Sequence, residues 1–224
     1  MRSVIALFLI LFPAASSALF AQSIYLEKGE SGYSIGAAAQ AEKDFFSFST
    51  FAGYSFSGTV DAGFSLGGGF MEPDTDRLKK SITFYSLSPY ASLIVLRESK
   101  TVPVNLAVHL SSYYRNYSSR EMDDEEIKMS ETGVSAGVEI SKKIAVKENN
   151  SFMPGLELSY NIRNVTTRIK PDPEKSSESG FFGLEAFFAF CFDNGDDMKV
   201  VLKPSAGISD GKAKGGISFS AVYH

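Results

Sequence analysis

The chain has 224 residues, a formal charge of −4 and a pI near 5.3. That length suits one domain of ordinary size, and mild acidity without a basic face excludes a nucleic-acid partner. The single cysteine, Cys191, excludes an internal disulfide, so an exported domain of this size has to be held by its core or by a membrane.

Residues 1–21 read as a secretory signal peptide. Arg2 gives the positive start, residues 4–12 are an unbroken apolar run, Pro13 ends it, and small residues follow. Cleavage after Ala21 or after Ala18 fits, and leaves a mature domain over 22–224. The apolar run is too short to span a bilayer comfortably. No later stretch of about 18 apolar residues occurs, so no transmembrane helix is predicted.

From residue 33 onward, apolar and polar residues alternate in short segments, the period of β-strands. The first strand has Tyr33, Ile35, Ala37, Ala39 and Ala41 against Ser34, Gly36, Ala38 and Gln40. The second (46–56) sets Phe46, Phe48, Tyr54 and Phe56 against Ser47, Ser49, Gly53 and Ser55; the third (60–70) sets Phe64, Leu66 and Phe70 against Asp61, Gly63 and Ser65. The fourth (82–96) is apolar on both faces and leaves its orientation open. The fifth carries Val104, Leu106, Val108 and Leu110 against Asn105, His109, Ser111 and Arg115, and the sixth carries Val134, Val138 and Ile140 against Glu131, Ser135 and Glu139. The seventh (152–162), eighth (181–192), ninth (199–208) and tenth (217–223) continue the pattern. Eight strands result if the first or ninth segment does not pair. Connections at 57–59, 97–102, 145–151 and 193–197 read as short, and those at 71–81, 116–130 and 165–180 as long loops. Long on one side and short on the other is the pattern of an outer-membrane barrel with external loops and periplasmic turns.

One face of these strands is bulky (Phe, Leu, Ile, Val, Tyr), and the other is rich in Gly, Ser and Ala with scattered charges. Small residues suit the crowded interior of a narrow barrel, and a bulky face about ten residues long matches a bilayer crossed at a tilt. The bulky face is therefore expected outward, in lipid, where only a closed sheet satisfies every backbone group. The fold class expected is a single antiparallel up-and-down transmembrane β-barrel of about ten strands. Tyr33, Tyr54, Tyr90, Tyr114, Tyr160 and Tyr223 lie near strand ends and are candidates for interfacial girdles.

With these features the chain resembles the small outer-membrane β-barrel proteins of diderm bacteria. The most specific piece is the C-terminus, where Gly216 is followed by the alternating apolar residues Ile217, Phe219, Ala221 and Tyr223 up to His224. It looks like that family's C-terminal assembly signal, although the family usually ends on Phe or Trp. The resemblance implies outer-membrane lipid and the barrel-assembly machinery as partners and an outer-membrane location.

The inner face is expected to hold Asp61, His109, Arg115, Glu139, Glu157, Arg163, Glu185, Lys199 and Lys203. These charges either pair across the barrel, for instance Glu139, Glu157 and Glu185 with Arg163, Lys199 and Lys203, or line a narrow water path. Ten strands enclose little room, which favours the plug. His109 and Ser111 share a face, but no glutamate at a matching spacing accompanies them, and neighbours two apart along a strand seldom reach each other as base and nucleophile. No phosphate-cradling loop, zinc spacing or triad is present, so no enzyme, cofactor or metal is expected. The acids at 121–126 lack the spacing of a calcium loop and read as a solvated charge run. The leading function is a structural or surface-interaction role through external loops whose ligand is unknown. The alternatives are a narrow pore for small solutes and a soluble periplasmic lipocalin-like barrel.

Overall fold

The computed structural model describes residues 22–72, 81–147, 150–169, 174–193 and 197–224; the expected signal peptide and part of the 71–81 connection lie outside these residues. Eleven strands form: β1 (Gly32–Glu42), β2 (Phe45–Phe56), β3 (Val60–Met71), β4 (Ile82–Leu96), β5 (Asn105–Ser118), β6 (Ile127–Ser141), β7 (Ile144–Lys147), β8 (Asn150–Ile169), β9 (Lys175–Asp193), β10 (Met198–Ser209) and β11 (Lys212–Tyr223). Every described pairing is antiparallel. β1 pairs with both β2 and β11, and β6 pairs with both β5 and β8, so ten strands close into a ring and β7 is a short arm beside β8. Because β1 and β10 each have two partners, the eight-strand arrangement is excluded. Closure removes every sheet edge, the condition for backbone to stand in hydrocarbon.

The usual distribution of residues is inverted. Tyr33 and Phe182 are each 68% exposed, whereas Glu131 is 0% and Glu139 and Glu157 are 2% exposed. The bulky face is outside, which contradicts a lipocalin-like barrel with its bulky residues inside. β4 resolves with Phe84, Ser88, Tyr90 and Ser92 inward and Tyr85, Leu87 and Leu93 outward. Tyr90 therefore leaves the girdle set: it fills the lumen above Gly53 and Gly63, where a Cβ would come within 2.5 and 2.6 Å of its hydroxyl. Tyr33 meets Tyr54 edge-on at 4.8 Å and pairs with Tyr223, which gathers three tyrosines at the barrel end where β1 begins and β11 finishes.

The connections differ from the long/short alternation. Residues 165–180 are mostly hairpin: Val165 faces Ser177, and Thr167 faces Lys175. Residues 116–130 include the ends of β5 and β6 and a short helix, α1 (Arg120–Asp124), capped by Ser119, whose Oγ accepts from Met122 N at 3.2 Å. The 145–151 turn contains most of β7. At the opposite end, two connections are only residues 43–44 and 210–211. The asymmetry of the barrel thus lies in strand length. β8 and β9 have 20 and 19 residues, against 11 or 12 in β1, β2, β3, β10 and β11. About 9–11 residues cross a bilayer at a tilt, so β8 and β9 carry a surplus that stands clear of it.

Candidate functional site

The interior of the barrel is layered. At the terminal end a 3-10 helix (Gln22–Tyr25) tucks Ile24, Tyr25 and Leu26 into the mouth, against Ile94, Met153, Val201 and Val222. Arg97 Nη1 donates to the Leu26 carbonyl at 2.7 Å, and its Nη2 donates to the Gly58 carbonyl. Burial lowers the pKa of this guanidinium from its ordinary value, against the pull of Asp61, Glu27 and Glu30. Lys199 Nζ donates to the Tyr25 carbonyl at 3.2 Å and lies 3.9 Å from Glu30. The lead-in before β1 is therefore a plug.

The middle layer is polar. All nine predicted inner-face residues are buried, at 2–7% exposure. Ser92 Oγ donates to Asp61 Oδ2 at 2.9 Å, and His109 Nε2 lies 3.3 Å from Glu157 Oε1. Lys203 Nζ lies 3.4 Å from Glu139 Oε2 and 3.8 Å from the centre of the Phe187 ring. Glu185 pairs with Lys214 at 2.6 Å and Arg163 with Asp210 at 3.4 Å. Of the pairings expected between the named acids and bases, the structure contains Glu139 with Lys203. Glu157 takes His109 and Glu185 takes Lys214. Register explains the choice: Glu139, Glu157 and Glu185 are direct cross-strand neighbours on β6, β8 and β9, and the same row continues through Gly207 to Lys214. The three adjacent carboxyl groups each take a different basic partner, because like charges side by side repel. A cavity of about 40 Å³ remains among Gln40, Ser47, Ser65, Ser88 and Ser205, room for a few waters at ~10–15 Å³ each.

Above it, Glu131 is a hub that the sequence placed on the polar face without a role. Tyr113 donates to its Oε1 at 2.6 Å, Tyr117 donates to its Oε2, and Arg115 Nη1 lies 3.6 Å away. The Arg115 guanidinium also lies over Phe45, Phe84 and Tyr113 at 5.5, 5.4 and 4.8 Å. Phe45 and Phe84 stack at 5.2 Å and join Met71, Ile82, Met129 and Met122 of α1 in an apolar lid. Glu131, Lys214 and Asp210 were missed as site residues, although Glu131 and Lys214 have the inward phase of β6 and β11. Asp210 sits in a turn, where phase gives no signal.

The His109–Glu157 contact supplies a glutamate that the linear spacing hides, since it comes from two strands away. Ser111 Oγ has no hydrogen-bond partner among the described residues, so no base–nucleophile contact is formed there. No cluster of three or more His, Cys, Asp or Glu side chains able to hold a metal exists among the described residues. Cys191 is free and buried beside the lower plug. On β11, Phe219 and Tyr223 are exposed on the outer face opposite Ala37 and Tyr33, Ala221 pairs with Ile35, and Gly216 faces Ser205.

Outside the bilayer zone, β6, β8 and β9 continue as a three-stranded crown. Lys128 pairs with Arg168, and Thr166 lies between Ser130 and Ser176. From Val165 to Ile169 the strand rises ~13 Å at about 3.3 Å per residue. Arg168, Lys175, Ser176 and Glu178 are exposed there.

A closed ten-stranded sheet, apolar outside and ionic inside, defines a transmembrane β-barrel of the outer-membrane class. Comparison with solved structures agrees on the fold. The translocator domain of the autotransporter NalP from Neisseria meningitidis superposes with a TM-score of 0.53 at 10% identity, over 88% of this chain and 89% of that one. The β domain of the Bordetella autotransporter BrkA gives 0.49 at 10% identity, over 88% and 99%. Ail, the attachment invasion locus protein of Yersinia pestis, gives 0.42 at 13% identity, over 88% and 99%. No protein-family model and no curated protein matches the chain.

Proposed function

We propose that this chain is a non-conducting, non-enzymatic outer-membrane barrel that works at the cell surface through its crown of β6, β8, β9 and α1. The observation that carries this reading is the pair of seals. The Ile24–Leu26 plug stands below the ionic layer and the Met122 lid above it. Asp61, Glu139, Glu157, Glu185, Arg163 and Lys203 are each engaged by another lumen side chain. What remains reachable from outside is the crown, whose exposed residues are polar and of mixed charge. The alternating outer residues Phe219, Ala221 and Tyr223 of β11 support delivery by the barrel-assembly machinery, which in this reading takes the last strand as its handle.

Purified wild-type protein in planar bilayers is expected to show no stepwise conductance. In intact cells, Arg168→Cys in a Cys191→Ala background reacts with a membrane-impermeant maleimide, and Thr59→Cys does not. Cells producing a chain with the crown hairpin shortened lose retention on immobilised glycans or matrix proteins relative to wild type. Stepwise conductance from the wild type, or labelling at Thr59 instead of Arg168, overturns the reading.

A further inference from the structure

The outer wall carries a groove that coincides with a break in the sheet. Between β4 and β5 the register runs through Leu87/Tyr114, resumes at Tyr90/Ser111, and lacks the Ser88/Tyr113 and Pro89/Ser112 pairs. Proline has no amide proton to give its neighbour, so the ladder opens beside it. Over this gap lies a groove of about 410 Å³ on the outer face, within the ~300–1,000 Å³ typical of ligand sites.

Two cross-strand rows build the groove. Leu87, Tyr114, Thr132 and Asn164 lie in register across β4, β5, β6 and β8; one step deeper Ser112, Val134 and Ile162 lie in register across β5, β6 and β8, with Pro89 on the far side of the gap. Short Ser112 and Thr132 sit between taller neighbours, which makes the hollow. Both rows lie at the crown end of the apolar band: above Ile162 the outward residues of β8 are Asn164, Thr166 and Arg168. The groove therefore opens into the external leaflet. Its upper edge is polar. Asn164 Oδ1 is buried without a hydrogen-bond partner among the described residues, a costly state next to hydrocarbon.

We propose that this groove is a binding site for one acyl chain of an external-leaflet lipid. The methylenes lie along Leu87, Pro89, Val134 and Ile162. The carbonyl linkage at the head of the chain accepts from the Thr132 or Ser112 hydroxyl, and a headgroup donor satisfies Asn164 Oδ1. The occupant is lipid because the groove opens sideways into the bilayer, away from the sealed lumen. The inference rests on the membrane location and is independent of what the crown contacts.

The test places the full mature chain in vesicles holding a phospholipid with a diazirine midway along one acyl chain. After irradiation, adducts are mapped by peptide mass spectrometry. Adducts on the peptides with Ser112–Tyr114 and Thr132–Val134 should exceed those on the Phe48 and Phe64 wall about tenfold, the ratio that ~1.4 kcal/mol of preference gives. Val134→Trp fills the groove and removes the enrichment, and Thr132→Val with Asn164→Leu removes it without adding side-chain heavy atoms. Heat-modifiable migration of each variant shows that the barrel is intact and keeps this result separate from a failure of the outer-membrane reading. Uniform adducts around the barrel, unchanged enrichment in the variants, or adducts to a second copy of the chain overturn the proposal.

Discussion

Lys203 on β10 and Glu139 on β6 meet at 3.4 Å, although β8 and β9 stand between their strands in the sheet. The contact crosses the lumen and ties two parts of the wall that no backbone ladder joins. Both side chains are at most 4% exposed, so neither charge has water to fall back on.

Replacing Lys203 with Met leaves the Glu139 carboxylate buried without its cation. Breaking a buried pair from one side costs ~3–5 kcal/mol, and replacing both partners with apolar residues recovers most of it. The urea midpoint of the refolded barrel should fall sharply for Lys203→Met and return toward wild type for Lys203→Met with Glu139→Leu.

Gly155 is fixed by a ring. A Cβ there would stand 2.1 Å from Phe187 Cζ, and Phe187 is 1% exposed with no room to withdraw. Gly155→Ala should cost ~1–3 kcal/mol by overpacking. It should also disturb the Lys203 contact with the same ring. Gly155→Ala with Phe187→Leu relieves the clash, and comparing denaturation midpoints of the single and double variants measures it.

Leu158 lies mid-strand on the outer face, 54% exposed, opposite Leu184. In lipid, Leu158→Arg should cost ~2–4 kcal/mol, the value for a cation near the bilayer midplane. Unfolding titrations in vesicles read this directly. A barrel standing in water would tolerate the change.

Removing residues 22–31 takes away the lower plug but leaves the ionic layer and the Met122 lid. The shortened chain should remain silent in planar bilayers. Conductance from it would mean that the paired charges do not close the lumen.

The sequence made the wall legible because the membrane-crossing segments other than β4 have a two-residue period with one bulky face. Phe46/Phe48, Leu156/Leu158 and Phe188/Phe190 announce both the strand and its orientation. The period fails where the physical demand ends. Residues 165–169 and 175–180 stand above the bilayer, need no apolar face, and so read as a loop although they are paired. The set of inward charges was also legible from phase. Their partners were not, because Glu139 with Lys203 and His109 with Glu157 are set by barrel closure and stagger, which no local pattern encodes. Tyr90 shows the remaining limit: an amphipathic ring suits a girdle or a glycine-lined lumen equally well, and only the register of β4 decides.

The central claim is that bulky residues face lipid while charges and small residues face one another. Single spin labels at residues 156–163 of β8, in a Cys191→Ala background in vesicles, test it position by position. Labels at Leu156, Leu158, Tyr160 and Ile162 should be relaxed strongly by membrane-dissolved oxygen, and those at Glu157, Ser159, Asn161 and Arg163 only weakly. The opposite alternation, or none at all, would contradict the account.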